Sequence, residues 1–491
     1  MRRRLLIGAA ARSSFLDIAM PLSRRTLIGT GLAVTAPGLA LAQSNVDWLG
    51  IKRLMQGPVL GACAADQAVV WTRASGPWPV CIEYDTDPTF PQPRRSAVQI
   101  ASAAEDFVQQ HVLEGLAPGQ RHVYRVLVDG KANPDDQGHE PWSFTAPATG
   151  LSRFRLAFGS CARRARYPVQ PIWRAVETAE SDLFVWAGDA VYADSLEPAI
   201  LAEEYRRQRD LPEIRRFMAS VPQFCIWDDH DYGLNDQDRR HPGKVAALEV
   251  FRRYWPNPSA GLPDTPGAFF RWSQGGVDFF FLDVRYHRDP NEDPDVAGKT
   301  MLGERQREWL LDGLKSSRAP FKVLISGSGW NDGKAEGADS WASFTHERDA
   351  IFSEIMRHDI EGVLLLSGDT HFGELNCLPW SDRGGYDLYE FVSSPLAQDT
   401  VDLYLTGRPV LRVRQAFSAG VNFGVVDFDL TAEDPTVRFE LRDEGGQAAW
   451  PAVVVRASEL KPGRRSWPDK VDAVSQRRWN AVQAGDAYYG A

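Results

Sequence analysis

The chain has 491 residues, 43% of them hydrophobic and 16 of them Trp, so it can bury a large core and form two domains, which excludes an intrinsically disordered protein. Lys plus Arg number 55 against 65 Asp plus Glu, a net charge of −10 that offers no electrostatic footprint for a nucleic-acid duplex. Any contact with phosphate must therefore be local.

The N-terminus carries Ser23-Arg24-Arg25-Thr26-Leu27-Ile28, an apolar stretch from Leu27 to Leu41, and Ala40-Leu41-Ala42 ahead of Gln43. This is the pattern of a twin-arginine leader. It predicts that residues 1–42 are removed after Ala42, with Met20 as an alternative start, and that the folded chain passes the twin-arginine export machinery to a bacterial periplasmic or secreted location. The apolar stretch is too short and too Gly-rich for a stable membrane span; a buried helix hairpin is the competing reading. Cysteines stand at 63, 81, 161, 225 and 377, an odd count that leaves at least one thiol free. Cys63 and Cys81 fall on neighbouring predicted strands and could pair.

Residues 43–148 read as a β-sandwich. Short β runs such as Ala68 to Thr72, Cys81 to Tyr84, Val123 to Val128 and Trp142 to Phe144 follow one another without helices. The stretch Leu116-Ala117-Pro118-Gly119-Gln120-Arg121-His122-Val123-Tyr124 resembles the fibronectin type III corner, with His122 where that motif has Tyr, which leaves the corner hydrogen bond open. Nothing here reads as catalytic. Ala146 to Gly150 is the linker.

From 149 to 458 apolar runs alternate with helical patterns. Strands are expected at Phe154 to Phe158, Leu183 to Ala187, Phe224 to Trp227, Phe279 to Val284, Phe321 to Ile325 and Val363 to Leu366. Helices are expected after Pro171, as one long charged helix around Ile200 to Met218, and at Glu304 to Leu314 and Glu347 to Arg357. This alternation predicts an α/β sheet covered on both faces. Val421 to Leu430 and Val437 to Leu441 are expected to complete a second sheet, and residues 459–491 form a tail on the catalytic domain.

Three strand ends carry acidic clusters: Gly188-Asp189-Ala190-Val191-Tyr192-Ala193-Asp194, Asp228-Asp229-His230-Asp231 and Ser367-Gly368-Asp369-Thr370-His371. Strand ends are where open α/β sheets place ligands. Hard oxygen donors and imidazoles gathered from several strands hold multivalent cations, and a phenolate favours a trivalent ion such as Fe3+. The competing reading for any single cluster is a helix cap.

Together, Phe158-Gly159-Ser160-Cys161, Gly188 to Tyr192, Trp227-Asp228-Asp229-His230-Asp231-Tyr232-Gly233-Leu234-Asn235-Asp236 and Ser367 to His371 resemble the PhoD-like alkaline phosphatases of the calcineurin-like metallophosphatase superfamily. The resemblance implies a four-layer α/β/β/α core holding iron, with calcium in some members. Carried over, Asp189 bridges two metals, Tyr192 binds iron as phenolate and Cys161 adds a thiolate. Asp229 stands in the slot of a bridging-side Asn, His230 in that of a phosphate-contacting His, and Asn235 is a further oxygen ligand. Asp369 replaces the first His of a Gly-His-x-His element and His371 matches the second. The loop Gly327-Ser328-Gly329-Trp330-Asn331-Asp332 lacks the His that the superfamily offers there, which favours Ca2+ over Zn2+ or Mn2+ at the second position.

The implied reaction is hydrolysis of phosphate monoesters at alkaline pH by a metal-bound hydroxide, without a covalent intermediate. His230 stabilises the transition state or protonates the leaving oxygen, and Arg163, with Arg164 and Arg166, clamps the phosphate; a solvated basic turn is the alternative for that trio. A phosphodiesterase of phospholipase D type on the same site, and a non-catalytic envelope binding protein, are the competing functions.

Overall fold

The computed structural model describes residues 50–334, 336–401 and 410–485. The leader, its cleavage point and the paired arginines lie outside the described residues.

The first part is all β. Strands β1 (Leu54–Cys63), β2 (Gln67–Ala74), β3 (Pro79–Asp85), β4 (Arg94–Arg95), β5 (Gln99–Ile100), β6 (Val108–Glu114), β7 (Arg121–Val128), β8 (Lys131–Ala132) and β9 (Trp142–Thr145) make two antiparallel sheets. One is β1-β2-β6; the other centres on β3 and β7. Alternate residues Val70, Val80, Ile82, Tyr84, Tyr124 and Val126 form the core between them. Cys63 belongs to that core, whereas Cys81 lies between Val80 and Ile82 and so faces away from it. The pairing that the sequence left open therefore does not form, and both thiols are free and buried. In the turn before β7, His122 Nε2 accepts the backbone N–H of Ala117 at 3.1 Å.

After this come β10 (Arg153–Gly159), α1 (Ile172–Thr178), β11 (Leu183–Ala187), α2 (Pro198–Arg209), α3 (Pro212–Ser220), β12 (Gln223–Ile226), α4 (Asp229–Tyr232), α5 (Lys244–Tyr254), β13 (Phe270–Gln274), β14 (Val277–Phe281), α6 (Glu304–Ser316), β15 (Phe321–Ser326), α7 (Thr345–Arg357), β16 (Val363–Ser367), β17 (Glu374–Leu378), β18 (Leu388–Val392), β19 (Asn422–Asp429), β20 (Thr436–Asp443), β21 (Val453–Arg456) and α8 (Ala473–Gln483). They build two six-stranded sheets, β12-β11-β10-β19-β20-β21 and β13-β14-β15-β16-β18-β17.

Period-2 alternation separates the layers. On the first sheet Phe154, Leu156, Phe158, Leu183, Val185 and Phe224 turn toward the second sheet. Ala157, Phe184, Trp186 and Cys225 turn the other way, onto Trp173, Tyr205, Phe217 and Phe251 from the helices. Aromatic pairs cross the inter-sheet space: Phe154 and Phe279 at 6.3 Å, Phe224 and Phe281 at 5.8 Å, Phe391 and Phe439 at 4.6 Å. Each such pair contributes about 0.5–1.5 kcal/mol beyond its buried area. On the far face of the second sheet, Phe280 meets Trp309 of α6. The layers thus run helix, sheet, sheet, helix.

Two sequence expectations are corrected. The long helix around Ile200 to Met218 is broken into α2 and α3, because Pro212 bars Leu211 from the helical region; Leu211 is extended at φ −65°, ψ 121°. The segments Val421 to Leu430 and Val437 to Leu441 do not belong to the second sheet: β19 pairs antiparallel with β10, setting Gly424 opposite Phe158, and β20 pairs with β19. Gly424 is required there, since a Cβ would lie 2.1 Å from the Phe158 ring.

Candidate metal centre

Strands β10, β11 and β12 run parallel in one sheet, and β14, β15, β16 and β18 in the other. The turns leaving β10, β11 and β16 put donor residues in the left-handed region: Cys161 at φ 61°, Asp189 at 52°, Asp369 at 67° and His371 at 59°. Non-glycine residues held there cost about 1–3 kcal/mol each, and the surrounding structure has to supply it.

Six of the expected site residues come together. Cys161 Sγ and Tyr192 Oη each lie 3.4 Å from Asp189 Oδ2, and Tyr192 Oη lies 3.2 Å from His371 Nε2. The Tyr192 and His230 rings stack at 4.1 Å, and His230 Nε2 is 4.0 Å from Asp229 Oδ2. Asp189, Asp229 and His230 each present a ligand atom within 4.8 Å of the others. Asp369 lies on the other side of the cluster, beside Asp228 and Asp339, again within 4.8 Å. Arg163 stands at the rim, its guanidinium 5.3 Å from the Tyr192 ring and 3.9 Å from Asp194 Oδ2. Asn235 is exposed and its amide donates to Asp236 Oδ1 at 2.8 Å; it is the neighbouring Asp236 that groups with Asp229 and Asp339.

The sequence reading missed Asp194, Asp228, Asp236, Asp339, Arg285 and Lys334. The first three stand inside the acidic motifs and could have been chosen by charge alone. Lys334 and Asp339 lie on loops that no apolar run announces, and Arg285, although it follows the expected strand Phe279 to Val284, stands in no acidic or His cluster that would mark it as a site residue. His230 Nδ1 is hydrogen-bonded to Asp194 Oδ1. Lys334 Nζ donates to Asp369 Oδ2 at 2.5 Å and to Asp339 O at 3.1 Å. Arg285, fully buried, reaches Asp228, Asp339 and, at 3.8 Å, Asp229.

Electrostatics follow from crowding in a dry site. Burial, then the neighbouring charges of Cys161 and Asp229, push the Asp189 carboxyl well above its usual range. Burial does the same to the Tyr192 phenol and raises the Cys161 thiol to about 11. Asp228 is raised to about 7 by burial despite Arg285, and Asp236 to about 6. Asp229 goes the other way: burial opposes its charge, but Arg285 and His230 outweigh it. His230 is raised to about 10, because Asp189, Asp229 and Asp194 overcome its burial.

These donors fit polyvalent cations. A thiol, a phenol and carboxyls that burial keeps protonated become good ligands when a cation neutralises them. Asp228 Oδ2 is buried with no hydrogen-bond partner, the condition of a ligand atom whose partner is an ion.

The chain can be placed among known proteins. Residues 156–439 match the family model of the PhoD-like phosphatase, and residues 42–140 that of the PhoD-like phosphatase N-terminal domain. Alkaline phosphatase D of Bacillus subtilis (strain 168) is 23% identical over 386 residues, which cover 68% of this chain and 63% of that relative, so the chain matches somewhat less than two thirds of its length. Among solved structures, one of PhoD superposes with a TM-score of 0.65 at 17% identity, covering 89% of this chain and 98% of that one. The purple acid phosphatase PPD1 from yellow lupin seeds gives 0.56 at 12% identity, covering 85% and 76%. Those two likenesses concern the fold; the first family match covers more than half of the sequence, and on it the chain belongs to the PhoD-like phosphatase family.

Proposed function

We propose that this protein is an exported, metal-dependent phosphoesterase that hydrolyses phosphate monoesters at alkaline pH. The observation that carries the reading is the convergence of Cys161, Asp189 and Tyr192 with Asp229, His230, Asp369 and His371 at the strand ends. Cys161, Asp189 and Tyr192 would hold Fe3+, and the carboxylates around Asp229 and Asp369 would hold Ca2+. Cations bound there supply Lewis acidity, activating water and neutralising phosphoryl charge.

The chain's own groups do the rest. Asp194 holds His230 by Nδ1, which leaves Nε2 to donate a proton to the leaving oxygen of the ester. Arg163, half-exposed at the rim, presents a guanidinium fork to the phosphoryl oxygens, and Lys334 adds positive charge beside Asp369. The twin-arginine leader of residues 1–42 supports export. The β-sandwich of residues 43–148 would be the scaffold on which the catalytic part of residues 149–458 docks.

The test is an assay of purified protein on 4-nitrophenyl phosphate and bis(4-nitrophenyl) phosphate after chelation and after return of Fe3+ and Ca2+. Faster hydrolysis of the monoester supports the proposal. A preference for the diester assigns a phosphodiesterase. No hydrolysis of either ester leaves a binding protein.

A further inference from the structure

Two carboxylates beside Asp369 look interchangeable as cation ligands, Asp228 and Asp339, since each presents an oxygen within 4.8 Å of the others. Their hydrogen bonds separate them. Asp339 is spent on the protein. Its Oδ1 accepts from Arg285 Nη1 at 2.9 Å and Asn291 Nδ2 at 2.9 Å and lies 2.7 Å from Arg288 Nη2, while its Oδ2 accepts from Arg285 Nη2 at 2.5 Å. Three of those donors crowd Oδ1 and the fourth holds Oδ2, so both oxygens are already engaged by the protein, whereas Asp228 keeps one oxygen without a partner. A cation replacing any of them would sit against two guanidinium groups that are themselves fully buried.

Asp228 is in the opposite condition. Arg285 Nε binds Asp228 Oδ1 at 2.5 Å and fixes the plane of the carboxylate, while Oδ2, on a residue 1% exposed, is left with no partner. The backbone has cleared room for this side chain. A Cβ on Gly188 would lie 2.7 Å from Asp228 Cβ, and one on Gly327 would lie 2.7 Å from Asp228 Cγ and 2.8 Å from Oδ1. Gly188 and Gly327 come from the ends of different sheets, so the carboxylate is cradled from both sides.

We propose that Asp228 is a further ligand of the oxygen-rich cation, next to Asp369, and that Arg285 is its positioning residue, anchored from behind by Asp339, Arg288 and Asn291. Asp339 then acts as the counter-anion of the guanidinium pair and not as a ligand. The order of contacts is Arg288 and Asn291 to Asp339, Asp339 to Arg285, and Arg285 to Asp228. A guanidinium suits this post because its planar fork grips Asp339 with the two Nη groups while Nε aims the second carboxylate, which an ammonium could not do. Metal-site ligands are commonly oriented in this way by groups behind them.

The proposal rests on the metal reading of the site. It is tested by Ca2+ titration calorimetry on purified, iron-retaining protein stripped with a calcium-selective chelator, with iron content and the visible spectrum recorded in parallel. Asp228→Asn keeps the shape and can still accept from Arg285. It is expected to weaken Ca2+ binding on the order of 100-fold, since ligand charge tunes such sites over decades, with iron and colour retained. Arg285→Lys is expected to weaken Ca2+ about tenfold, and to add nothing once Asp228→Asn is present. If the buried Arg285 variant does not fold, Gly327→Ala, whose methyl must displace the Asp228 carboxylate, is expected to weaken Ca2+ in its place. Wild-type Ca2+ affinity in Asp228→Asn, with monoesterase activity intact, overturns this inference and leaves the proposed function standing. Absence of Ca2+ binding by the wild-type chain overturns this inference together with the Ca2+ assignment on which it rests, while ester hydrolysis decides the phosphoesterase reading separately.

Discussion

Tyr192 holds its hydroxyl 3.4 Å from Asp189 Oδ2, and burial raises its pKa so far that only a polyvalent cation could keep it ionised at neutral pH. Tyr192→Phe removes one oxygen and leaves the ring stacked on His230. It is expected to abolish a visible charge-transfer band and most activity while the circular dichroism stays unchanged. Unaltered colour and turnover would sink the assignment of the phenolate. Asp194→Asn tests the proton donor. It leaves the ring of His230 in place but removes the carboxylate that holds Nδ1 and helps keep the imidazole protonated. A loss of about 100-fold in kcat is expected on an alkyl phosphate, with a smaller loss on 4-nitrophenyl phosphate, whose leaving oxygen needs little protonation. Equal losses on the two esters would show that His230 does not protonate the leaving group.

The elements that were legible in the sequence are those with largely apolar, buried runs: β11, β12 and β16 fall where such runs predict them, and β10 and β15 where the run is interrupted only by Arg155 and Lys322. Their ends were legible too, because the donors follow the runs directly. The break between α2 and α3 was written in Pro212, but the apolar period continues across it and hid the proline's effect. Arg285 follows the expected strand Phe279 to Val284, but its pairing with Asp339 could not be found, since an ion pair between loops 54 residues apart leaves no periodic trace. Nor did anything mark His111 as unusual. It lies on β6 with no exposed surface, 3.2 Å from Thr72 Oγ1 on β2, and burial lowers its pKa to about 4. Below pH 6.5 the unfolded chain takes up a proton that the folded strand refuses, so stability is lost as pH falls from about 6.5 to about 4 and is not affected above that window. The cost is on the order of 3 kcal/mol at most. His111→Gln is expected to flatten the fall in urea midpoint between pH 8 and pH 5 relative to wild type, and an unchanged slope would refute it.

At the scale of the whole molecule, the sandwich is clamped to the catalytic part by an aromatic cage. Arg209 of α2 is buried, with its guanidinium 4.9 Å from Trp71 of β2, 4.7 Å from Trp255, and 5.3–5.4 Å from Tyr254 and Tyr205. Among the described residues no carboxylate answers it directly; Nη2 donates to Tyr254 O at 2.7 Å and Nη1 to Tyr205 O at 3.2 Å, and burial lowers its pKa to about 10. Trp71 Nε1 in turn donates to Arg253 O at 2.8 Å, and Asp106 of the sandwich binds Arg206 and Tyr254. Trp71→Ala is expected to cost about 3–5 kcal/mol, the usual loss for a buried aromatic. Removing the cations should cost stability independently, because Asp189, Asp228, Asp229 and Asp369 would then face one another with only Arg285, His230 and Lys334 to offset them; a ligand at 100 times its Kd stabilises by about 2.7 kcal/mol. None of those carboxylates is a hydrogen-bonding partner of Trp71, Arg209 or Tyr254, so the two losses should add to within about 0.5 kcal/mol. Guanidinium unfolding of wild type and Trp71→Ala, each with and without chelator, measures this. If the chelator costs markedly more in the variant than in the wild type, the sandwich is not a passive scaffold, and its docking onto α2 and α5 helps to hold the strand ends that carry Asp189 and Asp229.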